Sequence, residues 1–293
     1  MTEVGFAGLG VMGAPMAGHL AAQLKASGGK LAVWNRTASK VEPLRQAGAE
    51  VAESLEALGE KCDIVFTCLS RTEDVKACLA ELTKKSKRGT LFVDHSTILP
   101  KGAKEIAGEL GAKGQRFIDA PITGGSMGAQ KGQLTIFCGG DAAAIDEARP
   151  FMDAYAKRVE RVGGSGAGQL TKVANQIAVG ASLLALCEAL GFAEKAGLDP
   201  ALTRDLLAGG AAGSWSMDNY GPKLLNRDWS PGFKVKDQLK DFKYCIETAK
   251  ELDVSIPGTV LLDRLLTETE REGHGEQTTA VLFETLMAMG FED

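Results

Sequence analysis

Several stretches of the chain place chemically useful residue types at suggestive spacings. Residues Gly5–Leu20 read GFAGLGVMGAPMAGHL, and Gly8, Gly10 and Gly13 within them spell G-x-G-x-x-G. The motif follows the apolar run Val4–Ala7 and opens a helical pattern. That is the setting in which a glycine turn lets a pyrophosphate approach the backbone at a helix N-terminus. Gly8, Leu9, Gly10, Val11, Met12 and Gly13 are therefore candidate cofactor-binding residues. After the second apolar run stands Asn35-Arg36-Thr37, where a carboxylate would accept hydrogen bonds from a ribose 2′-hydroxyl. Without that carboxylate, Arg36 offers a planar cationic fork and Thr37 a hydroxyl to a 2′-phosphate. NADP(H) is the expected cofactor, with NAD(H) as second choice.

Three stretches further on carry groups that could act on a bound substrate. DAPITGGSMGAQKGQLTI, from Asp119 to Ile136, is a glycine-rich loop after a strand. Its small residues free backbone N–H groups to face an anion, and Thr123 adds a hydroxyl, so it could hold a carboxylate. GSGAGQLTKVANQ, from Gly164 to Gln176, sets Lys172, Asn175 and Gln176 at i, i+3 and i+4 on one helical face. FKVKDQLKD brings Lys240 and Asp241 onto a later helix. A lysine near amides that orient a substrate oxygen suits proton transfer to and from an alcohol or carbonyl.

The elements that must position these groups follow from the hydrophobic pattern. Up to residue 162, short apolar runs (Val4–Ala7, Leu31–Trp34, Ile64–Cys68, Leu91–Val93, Phe117–Ala120, Leu134–Cys138, Val159–Val162) alternate with helical segments. This predicts an α/β domain with a Rossmann-type doubly wound parallel sheet over 1–162. A long apolar helix, about 168–196, then joins it to a mostly α-helical domain over 163–293. Two domains suit a chain of 293 residues.

Composition narrows the function classes. With 33 basic and 38 acidic residues and a net charge of −5, nothing points to a nucleic-acid partner. The six cysteines show no C-x-x-C pairing and read as reduced, and the three histidines have no ligand-like spacing, so no metal site is expected. Thr2 and Glu3 lead straight into a strand, and Val173–Cys187 includes Asn175, Gln176 and Ser182. No membrane association and a cytoplasmic location are therefore expected.

In order and approximate spacing, GLGVMGAPMA, NRT, DHST, DAPITGG, GAGQLTKVANQ and the Lys240-Asp241 pair resemble the β-hydroxyacid dehydrogenase family, over essentially the whole chain. That family includes 3-hydroxyisobutyrate dehydrogenases, tartronate semialdehyde reductases and succinic semialdehyde reductases. The resemblance implies hydride transfer between a nicotinamide dinucleotide and a small carboxylate-bearing substrate, with Lys172 as general acid/base. It implies that Thr123, Gly124 and Gly125 hold the carboxylate, with Thr123 where many members carry Ser. Asn175 is the favoured substrate amide and Gln176 the alternative. Cys68, Leu69, Ser70 and Ser96 would lie beside the cofactor, Lys240 near nicotinamide and substrate, and Asp241 would hold a lysine in place. A homodimer or homotetramer is implied as well.

Two residues depart from the family's pattern. Ser70 replaces a common proline, which frees the loop around Leu69. His95 stands where relatives often have a small or apolar residue, and a structural role is expected for it. In Gly209–Leu225, Trp215, Met217 and Tyr220 suit either the distal substrate pocket or the core. Imine reduction is a rival activity, disfavoured because such enzymes often carry Asp or Tyr where Lys172 stands. A non-catalytic nucleotide-binding protein is a weaker rival, since the lysine is kept.

Overall fold

The computed structural model describes residues 2–290. Nine strands form one sheet: β1 (Val4–Ala7), β2 (Leu31–Trp34), β3 (Glu50–Val51), β4 (Ile64–Thr67), β5 (Leu91–Asp94), β6 (Arg116–Asp119), β7 (Ile122–Thr123), β8 (Leu134–Gly139) and β9 (Ala156–Gly163). Their order is β3-β2-β1-β4-β5-β6-β8-β7, with β9 beside β8. From β3 to β6 every pairing is parallel, which is the doubly wound order with its switch point between β1 and β4. Alternate residues serve opposite faces. Val4, Phe6, Ile64, Phe66, Leu91 and Val93 pack with Met16 and Leu20 on one side. Ala7, Val65 and Phe92 pack with Leu79 and Ile106 on the other.

The register fixes where the loops begin. Trp34 pairs with Ala7, Ala7 with Thr67, Thr67 with Asp94, and Asp94 with Asp119. Five strands thus end in one row, and the segments beginning at Gly8, Asn35, Cys68, His95 and Ala120 all leave from that carboxyl edge.

At its far side the sheet turns from parallel to mixed. β8 runs antiparallel to β6 and β7. Strands β3 and β7, of two residues each, are too short to show a hydrophobic period. After β2 the helical pattern of Ala38–Ala47 is divided between a 3-10 turn, Ala38–Val41, and a short helix, Glu42–Gln46, with Pro43 in its first turn.

The long helix runs from Ala167 to Lys195. By compactness the chain divides into two units inside this helix, after Lys172, because the first helical turns pack on the end of β6. Asp119, fully buried, accepts hydrogen bonds from the Gly166 N–H (2.7 Å) and the Gln169 N–H (3.0 Å). Later in the helix Leu183, Leu186, Cys187 and Leu190 enter a helical core with Leu239, Phe242, Leu262 and Phe283. By length and composition the helix is apolar enough to cross a bilayer, contrary to the reading of Val173–Cys187 alone. Nor is it buried all round: Ala174, Ala178, Ala181 and Ala185 form an exposed stripe of small, helix-favouring side chains.

Glycines at the helix start separate packing from sequence habit. A Cβ on Gly168 would lie 2.4 Å from the Phe137 carbonyl oxygen and 2.6 Å from that of Asp119, whereas one on Gly164 would meet nothing within 4 Å. Gly168→Ala is expected to lower stability by about 1–3 kcal/mol in urea unfolding, despite alanine's better helix propensity. Gly164→Ala should be near neutral, and equal losses in both would contradict this packing.

Candidate active site

The three fingerprint glycines have different reasons to be glycine. Gly8 has φ +99°, and a Cβ there would lie 2.3 Å from the Cys68 carbonyl oxygen. On Gly13 a Cβ would lie 1.9 Å from the Gly8 carbonyl oxygen. Both glycines are demanded by the packing of strand, loop and helix. Gly10 is not, because a Cβ there would meet no protein atom within 4 Å. Its open face is a cradle that a side chain would fill, as expected if backbone approaches a pyrophosphate. The helix Gly13–Ala26 starts with Met12 and no side-chain cap, so its first N–H groups are suited to phosphate oxygens. Leu9 is buried and its N–H donates to Asn35 Oδ1 (2.8 Å), while Val11 is exposed beside it.

Asn35 also donates from Nδ2 to the Thr37 carbonyl (2.9 Å), which shapes the turn that displays Arg36 and Thr37. Both are exposed, and Arg36 makes no ion pair among the described residues. These residues fit a nicotinamide dinucleotide: the glycine loop for the pyrophosphate, Arg36 and Thr37 for the adenosine ribose.

On the other side of the switch point the loops after β4 and β5 are tied together. The Leu69 N–H donates to Ser96 Oγ (2.7 Å), and Ser96 Oγ donates to Asp94 Oδ1 (2.6 Å), which also accepts from Thr67 Oγ1 (2.7 Å). Ser96 is buried, so the structure places it in the framework beneath the Cys68-Leu69-Ser70 turn. Ser70 itself is exposed.

The glycine-rich loop is bent by Gly124 (φ +126°) and Gly125 (φ +66°), directly after Thr123. Lys172 is buried, and its Nζ donates to the Ile122 carbonyl (2.8 Å), one residue from Thr123. The sequence reading gave no role to Gln169, which holds this corner together. Its Nε2 donates to the Ser96 carbonyl (2.8 Å), and its Oε1 accepts from the Ile98 N–H (3.1 Å). The available signal was a polar residue one turn before Lys172 on the same helix. Burial raises the Asp119 pKa to about 7, against the N–H groups of Gly166 and Gln169, which favour the carboxylate.

Within the helical unit, Asn175 Nδ2 donates to Gln176 Oε1 (2.9 Å), and Gln176 Nε2 to Asp241 Oδ2 (2.7 Å). Asp241 Oδ1 pairs with Lys240 Nζ at 3.0 Å. Gln176 is buried with both ends of its amide engaged, while Asn175 stays partly exposed. Asn175 is thus the more exposed of the two amides. Met217 and Tyr220 are buried in the helical core, which decides for them between core and pocket wall. Trp215 is 42% exposed and meets Tyr220 edge to face at 5.2 Å.

His95 is a framework residue. Its Nδ1 lies 2.7 Å from the Ala120 carbonyl and its Nε2 2.8 Å from the Tyr155 hydroxyl. A carbonyl can only accept, so Nδ1 carries the proton and Tyr155 donates to Nε2. Burial lowers the His95 pKa to about 4.

Comparisons with known proteins agree with this layout. Residues 3–164 match the NAD binding domain of 6-phosphogluconate dehydrogenase, and residues 166–286 match the NAD-binding domain of NADP-dependent 3-hydroxyisobutyrate dehydrogenase. The chain belongs to the β-hydroxyacid dehydrogenase family. It is 38% identical, over 96% of its length and 84% of the relative's, to a probable 3-hydroxyisobutyrate dehydrogenase-like protein of Arabidopsis thaliana. It is 35% identical to the 2-hydroxy-3-oxopropionate reductase of Escherichia coli, covering 98% of each. The Mycobacterium tuberculosis 3-hydroxyisobutyrate dehydrogenase solved with L-serine superimposes with a TM-score of 0.87 at 28% identity, covering 98% of this chain and all of that one. The protein is an NAD(P)-dependent oxidoreductase of the hydroxyacid dehydrogenase type.

Two measurements test the site's framework. Gly10→Ala should leave the urea midpoint unchanged and weaken dinucleotide binding about tenfold or more, whereas Gly13→Ala should destabilise the fold by about 1–3 kcal/mol. Fluorescence titration and urea unfolding of the two variants separate the effects.

For His95 the folded pKa lies below the unfolded one. The stability carried by the neutral ring is therefore complete above about pH 6.5 and lost as pH falls toward about 4. The stability gap between wild type and His95→Gln should narrow by about 2–3 kcal/mol from about pH 7 to about pH 4.5. A gap independent of pH would show that His95 is not held neutral.

Proposed function

We propose that this enzyme interconverts a short β-hydroxyacid and its semialdehyde with NADP(H), and that Lys172 is the general acid/base. One observation carries the reading: the buried Lys172 Nζ sits 2.8 Å from the Ile122 carbonyl, at the head of the Thr123-Gly124-Gly125 bend. A proton donor stands one residue from a loop able to take a carboxylate. A substrate with a carboxylate and an oxygen one or two carbons away fits that arrangement. The dinucleotide, when bound, supplies or accepts the hydride.

In the reducing direction Lys172 Nζ–H gives its proton to the carbonyl oxygen as hydride reaches the carbonyl carbon. In oxidation the neutral amine takes the hydroxyl proton back. Asn175 would orient the substrate oxygen, and Lys240, fixed by Asp241, would stand near nicotinamide and substrate. Trp215 would border the distal end of the substrate. The E. coli reductase that resembles this chain is named for a three-carbon hydroxy-oxo acid, and the M. tuberculosis structure holds L-serine. Both names support a three- to four-carbon carboxylate.

Exposed Arg36 and Thr37, with no carboxylate at the end of β2, support NADP(H) over NAD(H). We also propose a homo-oligomer in the cytoplasm. The exposed Phe192, Leu202 and Leu206 support a contact between copies.

Lys172→Ala should lower kcat by about 10²–10⁴-fold across a panel of short semialdehydes while NADPH still binds. Near-normal turnover with every active substrate would overturn the assignment. Arg36→Asp should lower the NADPH/NADH ratio of kcat/KM by about tenfold or more. An unchanged ratio would show that Arg36 does not read the 2′-phosphate.

A further inference from the structure

The glycine-rich loop is gripped by its carbonyls. The Ala120 carbonyl accepts from His95 Nδ1 (2.7 Å) and that of Ile122 from Lys172 Nζ (2.8 Å). At the far end, His19 Nε2 lies 3.2 Å from the Ala129 carbonyl oxygen and 3.0 Å from that of Gln130. Both acceptors are carbonyls, so Nε2 carries the proton and shares it between them.

These two carbonyls close the short helix Gly125–Gln130, which begins at the Gly124-Gly125 bend. The last carbonyls of a helix lack partners within it, so a donor there fixes its axis. Ala129 is fully buried, and His19 also covers Gly132, where a Cβ would lie 3.5 Å from the imidazole Cε1. His19 in turn stands on the helix Gly13–Ala26, two turns from the fingerprint loop. One rigid helix therefore has its N-terminus at the pyrophosphate cradle and its His19 on the segment that carries the bend.

We propose that His19 is a positioning residue that couples dinucleotide binding to carboxylate binding. This rests on the assignment of the Thr123-Gly124-Gly125 bend to the substrate carboxylate. A nucleotide that orders the fingerprint helix also holds the helix behind the bend, through His19, so that the bend's N–H groups are oriented before the carboxylate arrives. By linkage, the carboxylate strengthens nucleotide binding by the same factor. His19 touches neither ligand and transfers no proton.

The test uses the full-length enzyme, with malonate as a non-reacting carboxylate probe. Its dissociation constant is measured with and without saturating NADP⁺, next to that of NADP⁺ alone and the thermal midpoint. In wild type, NADP⁺ should tighten malonate by about fivefold or more, the ordinary range of coupling between sites. In His19→Ala the NADP⁺ constant alone should change less than about threefold, while the tightening falls to near unity and the KM for semialdehyde rises about tenfold. His19→Gln, which keeps an N–H donor, should restore most of the coupling.

Unchanged coupling in His19→Ala overturns the proposal. So does a parallel loss of both ligands with a lower thermal midpoint that His19→Gln shares, since that marks a merely structural residue. If wild type binds malonate with NADP⁺-dependent tightening but reduces no semialdehyde in the panel, the catalytic reading fails and the coupling stands. If wild type does not bind malonate at all, the carboxylate loop and this inference fall together.

Discussion

The parallel register at the end of five strands is the constraint on which the site depends. Because Trp34, Ala7, Thr67, Asp94 and Asp119 pair in sequence across the sheet, the segments that follow them leave at one level. A slip of one residue in any pair would turn that strand's side chains to the opposite face. It would also move a loop by about 3.3 Å along the strand, more than the reach of a hydrogen bond. The ties between loops are the finer adjustment of the same edge. Asn35 joins the turn after β2 to that after β1, and Ser96 joins the turn after β5 to that after β4.

Asp119 extends this edge into the long helix. A buried carboxylate is costly unless donors replace its water, and here the Gly166 and Gln169 N–H groups do so at the helix start, where the helix dipole also favours negative charge. The bare faces of Gly139 and Gly168 are what let the helix approach, since a Cβ on either would lie within 2.6 Å of Asp119 oxygens. The helix end is thereby fixed, and with it the depth at which Lys172, five residues after Ala167, meets the Ile122 carbonyl. The position of a candidate catalytic nitrogen thus follows from an acid–glycine contact at the end of β6.

Much of this was legible in the sequence. The strands Val4–Ala7 and Leu31–Trp34 and the helix from 168 lie within a residue of expectation because the strands are short, continuous apolar runs and the helix is a long, mostly apolar one between Gly166 and Gly197. The two-residue strands β3 and β7 were not legible, having no room for a period, nor was the antiparallel course of β8, since an apolar run carries no direction. Among candidate site residues, types and spacings marked Gly10, Lys172 and Asn175. They could not show that Ser96 and Gln176 spend their hydrogen bonds inside the framework, that Met217 and Tyr220 are core, or that Gln169 and His19 bind carbonyls remote in sequence. Such partners are set by tertiary packing, and no local pattern encodes them.

The framework has a consistent chemical logic in how it treats the backbone of the glycine-rich segment. Glycines give this segment the bends it needs but remove side chains that could hold it, and they raise the entropy of the free loop. The structure compensates with donors from outside: His95, Lys172 and His19 each bind a carbonyl, and two of these residues are histidines whose bonding nitrogen is fixed as a donor by its acceptor. Carbonyls along the segment are thus held by side-chain donors, while the short helix Gly125–Gln130 starts without a side-chain cap. The same logic holds at the fingerprint, where the helix Gly13–Ala26 starts uncapped and the open face of Gly10 adds no side chain.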